Sequence, residues 1–276
     1  MPELPEVETI VRGLQPLLAG QTIAGMAHCD WPPTLAGYDP AAFGATLAGE
    51  PIAGVRRRAK YILVLLGSGR ALAIHLRMTG GLTYQPQAQP PGKSTRLILD
   101  LAGGSQLHFT DTRKFGRVRL LAPDALGAFL ESLGPEPLLD DFTLERFRER
   151  LQRRRGQLKP ALLDQRVFVG LGNIYADEAL YRSQIHPLRA IPTLTPDETA
   201  RLYNAVREVL AQGIANRGTS ISDYRDARGE PGSNQEQLLA YGQTGHPCSR
   251  CGAPIERTVV GGRGTHFCPR CQPLPG

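Results

Sequence analysis

Val7, Ile10, Val11, Leu14, Leu17 and Leu18 recur at helical spacing, so residues 7–18 predict a helix with one apolar face. Gly20 is placed to stop it. The texture then changes. Residues 61–66, 71–74, 97–101 and 118–121 are short aliphatic and β-branched runs, parted by Gly, Pro and Ser clusters. Such runs predict antiparallel strands in a sandwich or barrel-like unit. Residues 134–138, Gly-Pro-Glu-Pro-Leu, read as a linker. Helical spacing returns after it. Asp141-Phe142-Thr143 can cap a helix carrying Leu144, Phe147 and Leu151, and further helices are expected over 173–185 and about 197–214. Residues 217–234 are rich in Gly, Ser, Asp and Arg and read as a mobile loop. The class expected is α+β.

The chain of 276 residues is long enough for about two domains. Its 41% hydrophobic and 21% charged residues are those of an ordinary folded protein. No apolar run approaches the roughly 18 residues of a membrane span. The acidic, proline-broken start does not read as a signal peptide, so a cytoplasmic location is expected. Charge divides unevenly. Residues 1–145 hold 13 basic and 14 acidic side chains, and residues 146–276 hold 19 and 12. The whole excess of +6 therefore sits in the second half, which suggests a polyanion partner such as nucleic acid. A basic protein without such a partner remains the alternative. Only four of the basic residues are lysines, Lys60, Lys93, Lys114 and Lys159, against 28 arginines. Lys60 follows Arg56-Arg57-Arg58. A compact ammonium suits proton transfer or a tight phosphate site better than a guanidinium; a solvated basic run is the other reading.

Four of five cysteines lie near the C-terminus, as Cys248-x2-Cys251 and, after sixteen residues, Cys268-x2-Cys271. That spacing predicts a four-thiolate zinc site. With all four positions filled by Cys, no ligand site stays open for water, so one structural zinc per chain is expected. Disulfides are disfavoured without secretion. Cys29 reads as a small buried hydrophobe.

At the other end stands Met1-Pro2-Glu3. Removal of Met1 would leave a secondary amine, able to attack a sugar C1′ and form a cationic iminium. Glu3 and Glu6 are three apart, on one helix face, and could do acid–base work beside it. The alternative is plain: Pro2 opens a helix whose first turn favours negative charge.

The sequence resembles the bacterial formamidopyrimidine-DNA glycosylases over its whole length. The resemblance is carried by residues 1–9 (MPELPEVET), 57–61 (RRAKY), 75–80 (HLRMTG), 111–116 (DTRKFG), 170–176 (GLGNIYA) and the cysteine ribbon, in that order. It implies four parts: an N-terminal helix plus β-sandwich catalytic domain over 1–134, a linker over 135–142, a helical helix–two-turn–helix DNA-binding domain over 143–234, and a zinc-finger β-hairpin over 235–276. It also implies a monomeric DNA glycosylase and apurinic/apyrimidinic lyase of base excision repair. Such an enzyme excises oxidised purines, 8-oxoguanine and formamidopyrimidines, from double-stranded DNA, acts on abasic sites, and cuts the strand by β,δ-elimination.

Roles carry over residue by residue. Pro2 would be the nucleophile, Glu3 the proton donor to the sugar ring oxygen, and Glu6 the support of the amine. Lys60 would hold the phosphate beside the lesion and assist β-elimination. Arg263 would contact phosphate and assist δ-elimination. Phe115 would wedge the stack, Met78 fill the gap, and Arg113 bond the orphaned base. Asn173, at a Gly-rich helix start, would meet phosphate. His75, Arg154 and Tyr241 are further DNA contacts. Ser94 is one too, although relatives place a His there, and a hydroxyl bonds phosphate without gaining charge. The rivals are an endonuclease VIII-like enzyme acting on pyrimidines, from which residues 4–9 depart, and a non-catalytic DNA-binding protein.

Overall fold

The computed structural model describes residues 1–274. They divide into two compact units, Met1–Ser132 with Asn216–Ser233, and Leu133–Ala215 with the residues from Asn234 onward.

The first unit opens with helix α1 (Leu4–Leu18), whose buried face is Leu4, Val7, Ile10, Val11, Leu14 and Leu18. Strands β1 (Ile23–Cys29), β6 (Thr95–Leu101), β7 (Gln106–Asp111) and β5 (Gly80–Gln85) form one antiparallel sheet in the order β1-β6-β7-β5. Strands β2 (Ile52–Arg58), β3 (Tyr61–Leu66), β4 (Ala71–His75) and β8 (Arg117–Leu121) form a second, in the order β2-β3-β4-β8. Both sheets and α1 share one core, in which Leu97, Leu99 and Phe109 of one sheet join Val55, Ile62, Val64, Leu72 and Ile74 of the other. Alternation along the strands decides this: Leu63, Ala73 and Leu121 point the other way and pack with Leu126, Phe129 and Leu130. Those partners lie on α3 (Pro123–Glu131), a helix the sequence reading did not separate. Helix α2 (Pro40–Leu47) starts at Asp39, whose side chain accepts the Ala42 N–H.

The second unit holds α4 (Leu144–Gln152), α5 (Leu158–Leu163), α6 (Asn173–Ser183), α7 (Pro196–Ala215) and the hairpin β9 (Glu256–Val260) and β10 (Arg263–Phe267). Phe142, Phe147, Phe168 and Tyr203 form an aromatic cluster, with ring centroids 4.6 Å apart between Phe147 and Phe168. Gly213 on α7 lets the Tyr175 ring approach; a Cβ there would stand 2.5 Å from the Tyr175 hydroxyl.

Within the expected helical domain of 143–234, the last stretch packs with the sandwich. Residues 216–233 belong to the first unit. Tyr224 and Ala227 enter the sandwich core, and the Ala227 carbonyl accepts the Tyr84 N–H at 3.0 Å. The segment has little apolar periodicity because two or three side chains, rather than a helix face, anchor it. The cysteine ribbon joins the helices in the second unit.

Candidate active site and nucleic-acid interface

The chain start is built by helix capping. Glu3 is the N-cap of α1, and Glu3 and Glu6 form a reciprocal capping box in which Glu6 Oε2 accepts the Glu3 N–H at 2.7 Å. This fixes Pro2, itself buried, immediately before the helix. Glu3 and Glu6 are each only 2% exposed. The other oxygen of Glu6 accepts the Thr219 N–H at 2.8 Å, so the late loop docks on the first helical turn. The Tyr224 hydroxyl lies 3.3 Å from the Glu6 carbonyl. Burial, then the Glu6 charge, pushes that phenol above its ordinary range.

Lys60 sits in the two-residue turn between β2 and β3, where Arg58 pairs with Tyr61. Ala59 adopts a left-handed conformation there (φ +55°), which turns the chain tightly. Lys60 is 4% exposed. Of the arginines before it, Arg57 is committed to Glu8, Nε to Oε2 at 2.7 Å. Burial opposes ionisation of Glu8, but hydrogen bonds from Arg57 and Arg12 outweigh it and hold the carboxyl below its usual range. On β4, His75 lies opposite Tyr61, with ring centroids 4.7 Å apart. Its Nδ1 accepts the Arg77 N–H at 3.0 Å. Burial, then the charges of Arg77 and Lys60, depress His75 to about 3, so the ring is neutral.

Met78 lies in the turn between β4 and β5, and Arg113 and Phe115 in the turn between β7 and β8. Arg113 and Phe115 are exposed, with the guanidinium 5.0 Å over the ring. An exposed Phe beneath an Arg is the opposite of a core aromatic. Ser94 is partly buried, and its carbonyl accepts the Asp111 N–H at 2.8 Å.

The second unit organises its own group. Asn173 is the first residue of α6, after Gly172, and its Nδ2 donates to the Gly264 carbonyl at 2.8 Å. Among the described residues, its buried Oδ1 has no hydrogen-bond partner. Gly261 and Gly262, both at positive φ, make the tight turn between β9 and β10. Arg263 follows and is exposed. Tyr241 is set by Glu178, whose carboxylate accepts the N–H groups of Leu239, Ala240 and Tyr241. Burial pushes Glu178 above the usual carboxylate range even against those donors. Arg154 is engaged with Asp164 at 3.1 Å and 39% exposed, which leaves it a shared rather than a dedicated contact.

Cys248, Cys251, Cys268 and Cys271 converge, with all four sulfurs within 4.8 Å of one another. Cys248 and Cys271 are 3.8 Å apart, and Cys251 and Cys268 3.4 Å. Zinc–sulfur bonds of about 2.3 Å place tetrahedral sulfurs about 3.8 Å apart, so the cluster fits a single zinc. No disulfide joins the described cysteines. Held by these four thiolates, the metal supplies a cross-link and no chemistry. Tyr181 packs on the cluster, its hydroxyl 3.1 Å from the Cys248 sulfur.

Sequence reasoning gave no role to Lys159, Asp177, Glu178 or Asp111. Each is a buried charged residue; Asp111, Asp177 and Glu178 stand inside a predicted helix or quoted motif, and Lys159 is one of only four lysines.

Three family models match the chain in order. Residues 1–118 match the formamidopyrimidine-DNA glycosylase N-terminal domain, 133–225 its H2TH domain, and 245–274 the zinc finger found in FPG and IleRS. The formamidopyrimidine-DNA glycosylase of Herpetosiphon aurantiacus is 47% identical over 272 residues, covering 99% of this chain and 100% of the relative. That of Chloroflexus aggregans is 50% identical over 274 residues, with 99% of each covered. The Lactococcus lactis Fpg solved with an abasic site containing DNA superposes with a TM-score of 0.92 at 39% identity, covering 99% of this chain and 100% of that one. The same enzyme solved with a FAPY-dG containing DNA gives 0.91 at 38%. With three matching domain models in order and relatives of this identity along the full chain, this protein belongs to the formamidopyrimidine-DNA glycosylase family.

Proposed function

We propose that the chain is a bifunctional DNA glycosylase and apurinic/apyrimidinic lyase. It excises oxidised purines from double-stranded DNA and then cuts the strand. The observation that carries this reading is the buried Glu3–Glu6 capping box directly after Pro2, in a chain of this family.

Once Met1 is removed, the Pro2 nitrogen attacks C1′ of the damaged nucleotide and the C1′–base bond breaks. Glu3 gives a proton to the sugar ring oxygen, the ring opens, and a C1′ iminium on Pro2 results. Loss of a C2′ proton then expels the 3′ phosphate, a second elimination expels the 5′ phosphate, and water releases the sugar remnant from Pro2. Glu6, tied to the Glu3 N–H and the Thr219 N–H, holds the chain start in register. Lys60 holds the neighbouring phosphate and assists the first elimination. His75, neutral beside it, can donate a hydrogen bond to that phosphate without competing for its charge. Met78, Arg113 and Phe115 occupy the gap left by the flipped nucleotide. Asn173, Arg154, Tyr241, Ser94 and Arg263 contact the backbone, and Arg263 assists the second elimination.

The catalytic work falls to the first unit, and much of the duplex grip to the basic helical unit with its zinc hairpin. The enzyme acts as a monomer in the cytoplasm. No helix among the described residues is long and apolar enough to cross a membrane.

Borohydride reduction in the presence of 8-oxoguanine duplex tests the mechanism. The wild-type protein should form a covalent complex and Pro2→Gly should not. Equal trapping by both would remove Pro2 from its role. A 5-hydroxyuracil duplex run in parallel separates purine from pyrimidine preference.

A further inference from the structure

The three side chains assigned to the helix gap stand on two separate turns, Met78 on one and Arg113 with Phe115 on the other. Their usefulness depends on a fixed spacing between the turns. Side chains on loops do not supply that by themselves.

Asp111, the last residue of β7, is 1% exposed. Its Oδ1 accepts the Thr79 hydroxyl at 2.5 Å and the Arg113 N–H at 3.1 Å. Its Oδ2 accepts the Gly116 N–H at 2.6 Å. The Arg113 N–H is also 3.0 Å from the Thr79 hydroxyl oxygen. One carboxylate therefore binds the residue after Met78 and both ends of the Arg113–Phe115 turn. Backbone bonds fix the same residue to a third loop: its N–H donates to Ser94 and its carbonyl accepts Arg96 Nε at 2.9 Å.

The packing leaves no slack. A Cβ on Gly80 would lie 2.3 Å from the Leu76 carbonyl, and one on Gly116 would lie 2.5 Å from the Phe109 ring. Lys114, between Arg113 and Phe115, is in the left-handed region (φ +60°), with its ammonium 4.4 Å over the Trp31 ring. The Arg96 guanidinium goes to Asp30, the Lys93 carbonyl and the Asp111 backbone. The bonds found on the carboxylate thus come from neutral donors, each of which belongs to a gap-filling turn.

We propose that Asp111 is a positioning residue that joins the two turns into one intercalating unit, so that Arg113 meets the orphaned base while Met78 and Phe115 hold the stack. This rests on the function proposed above. Asp111 touches no reacting atom, and its loss should leave the Pro2 chemistry intact.

Asp111→Asn keeps the shape but replaces one acceptor with a donor facing donors. Thr79→Val removes only the hydroxyl link. Both should lower kcat/KM on an 8-oxoguanine duplex about tenfold or more, mainly through KM, and narrow the preference for cytosine over adenine opposite the lesion. Cleavage of an abasic site in single-stranded DNA, which has no gap to fill and no orphaned base, should match wild type within about twofold. The inference fails if both variants keep wild-type duplex kinetics and base preference. It also fails if single-strand cleavage falls as far as duplex excision. Should Asp111→Asn not fold, Thr79→Val decides alone. A wild-type protein inactive on the duplex would instead overturn the proposed function.

Discussion

Lys159 Nζ stands 2.6 Å from Asp177 Oδ1, and both side chains are fully out of solvent. Lys159 also donates to the Thr265 hydroxyl at 2.7 Å and to the Gly264 carbonyl at 3.2 Å. The second oxygen of Asp177 accepts the His266 N–H at 2.9 Å. A charge pair joining α5 to α6 therefore also pins β10, the strand that begins at Arg263. Burying two charges is costly, and here it is offset in part by the hydrogen bonds Lys159 donates to Thr265 and Gly264 and by the one Asp177 accepts from the His266 N–H.

Removing one partner strands the other. Lys159→Met should destabilise the protein by about 3–5 kcal/mol, and Lys159→Met with Asp177→Leu by clearly less. Urea unfolding of the two variants checks this. An additive double mutant would show that the pair is not coupled.

The neutrality of His75 makes a signed pH prediction. In the unfolded chain the imidazole takes a proton near pH 6.5. In the folded chain burial, Arg77 and Lys60 hold it down to about 3. Between these values the unfolded state binds more protons, so the contribution is complete above about pH 6.5 and is lost as pH falls toward 3. The His75 ring resonances should not titrate between pH 7.5 and 5. Denaturant midpoints of His75→Gln should fall less steeply with acid than those of wild type.

Zinc should be recoverable at about one ion per chain from native protein. Chelation, or Cys268→Ser, should loosen the β9–β10 hairpin, because its few residues bury little core without the metal. Limited proteolysis would then cut between 245 and 274. Duplex binding should weaken, while residues 1–132 keep their amide-exchange protection.

Gly213→Ala places a methyl carbon 2.5 Å from the Tyr175 hydroxyl and 2.6 Å from the ring edge. The α6–α7 contact must open, at about 1–3 kcal/mol. Gly127→Ala on α3, where nothing lies within 4 Å of the new carbon, is the control and should be neutral or slightly stabilising.

The apolar face of α1, the central strand runs and the four-thiolate cluster were legible because each depends on local spacing alone. The periodicity of α4, α6 and α7 was legible for the same reason. Strand β5 was not, since Gly80-Gly81-Leu82-Thr83-Tyr84-Gln85 alternates weakly and is held by pairing with β7. That residues 216–233 pack with the first unit was not legible, because their anchors are few. Tyr224 in the core and Thr219 on Glu6 are contacts over 200 residues away, and no local pattern encodes them. The basic run at Arg56–Arg58 showed its charge in sequence, but not that Arg57 is neutralised by Glu8.

Thus the chain alone determined what repeats within a few residues: a helix face, strand alternation, thiol spacing, the amine beside two carboxylates. Such features follow from backbone periodicity and intrinsic chemistry. Only the tertiary structure decided which buried charges meet. Asp111 could join the two exposed turns, and Lys159 could find Asp177 and Thr265, only after strands and helices distant in sequence had packed. Burial is what makes those partnerships obligatory. A charge left alone in that interior would cost several kcal/mol, about as much as a fold of this size has to spare.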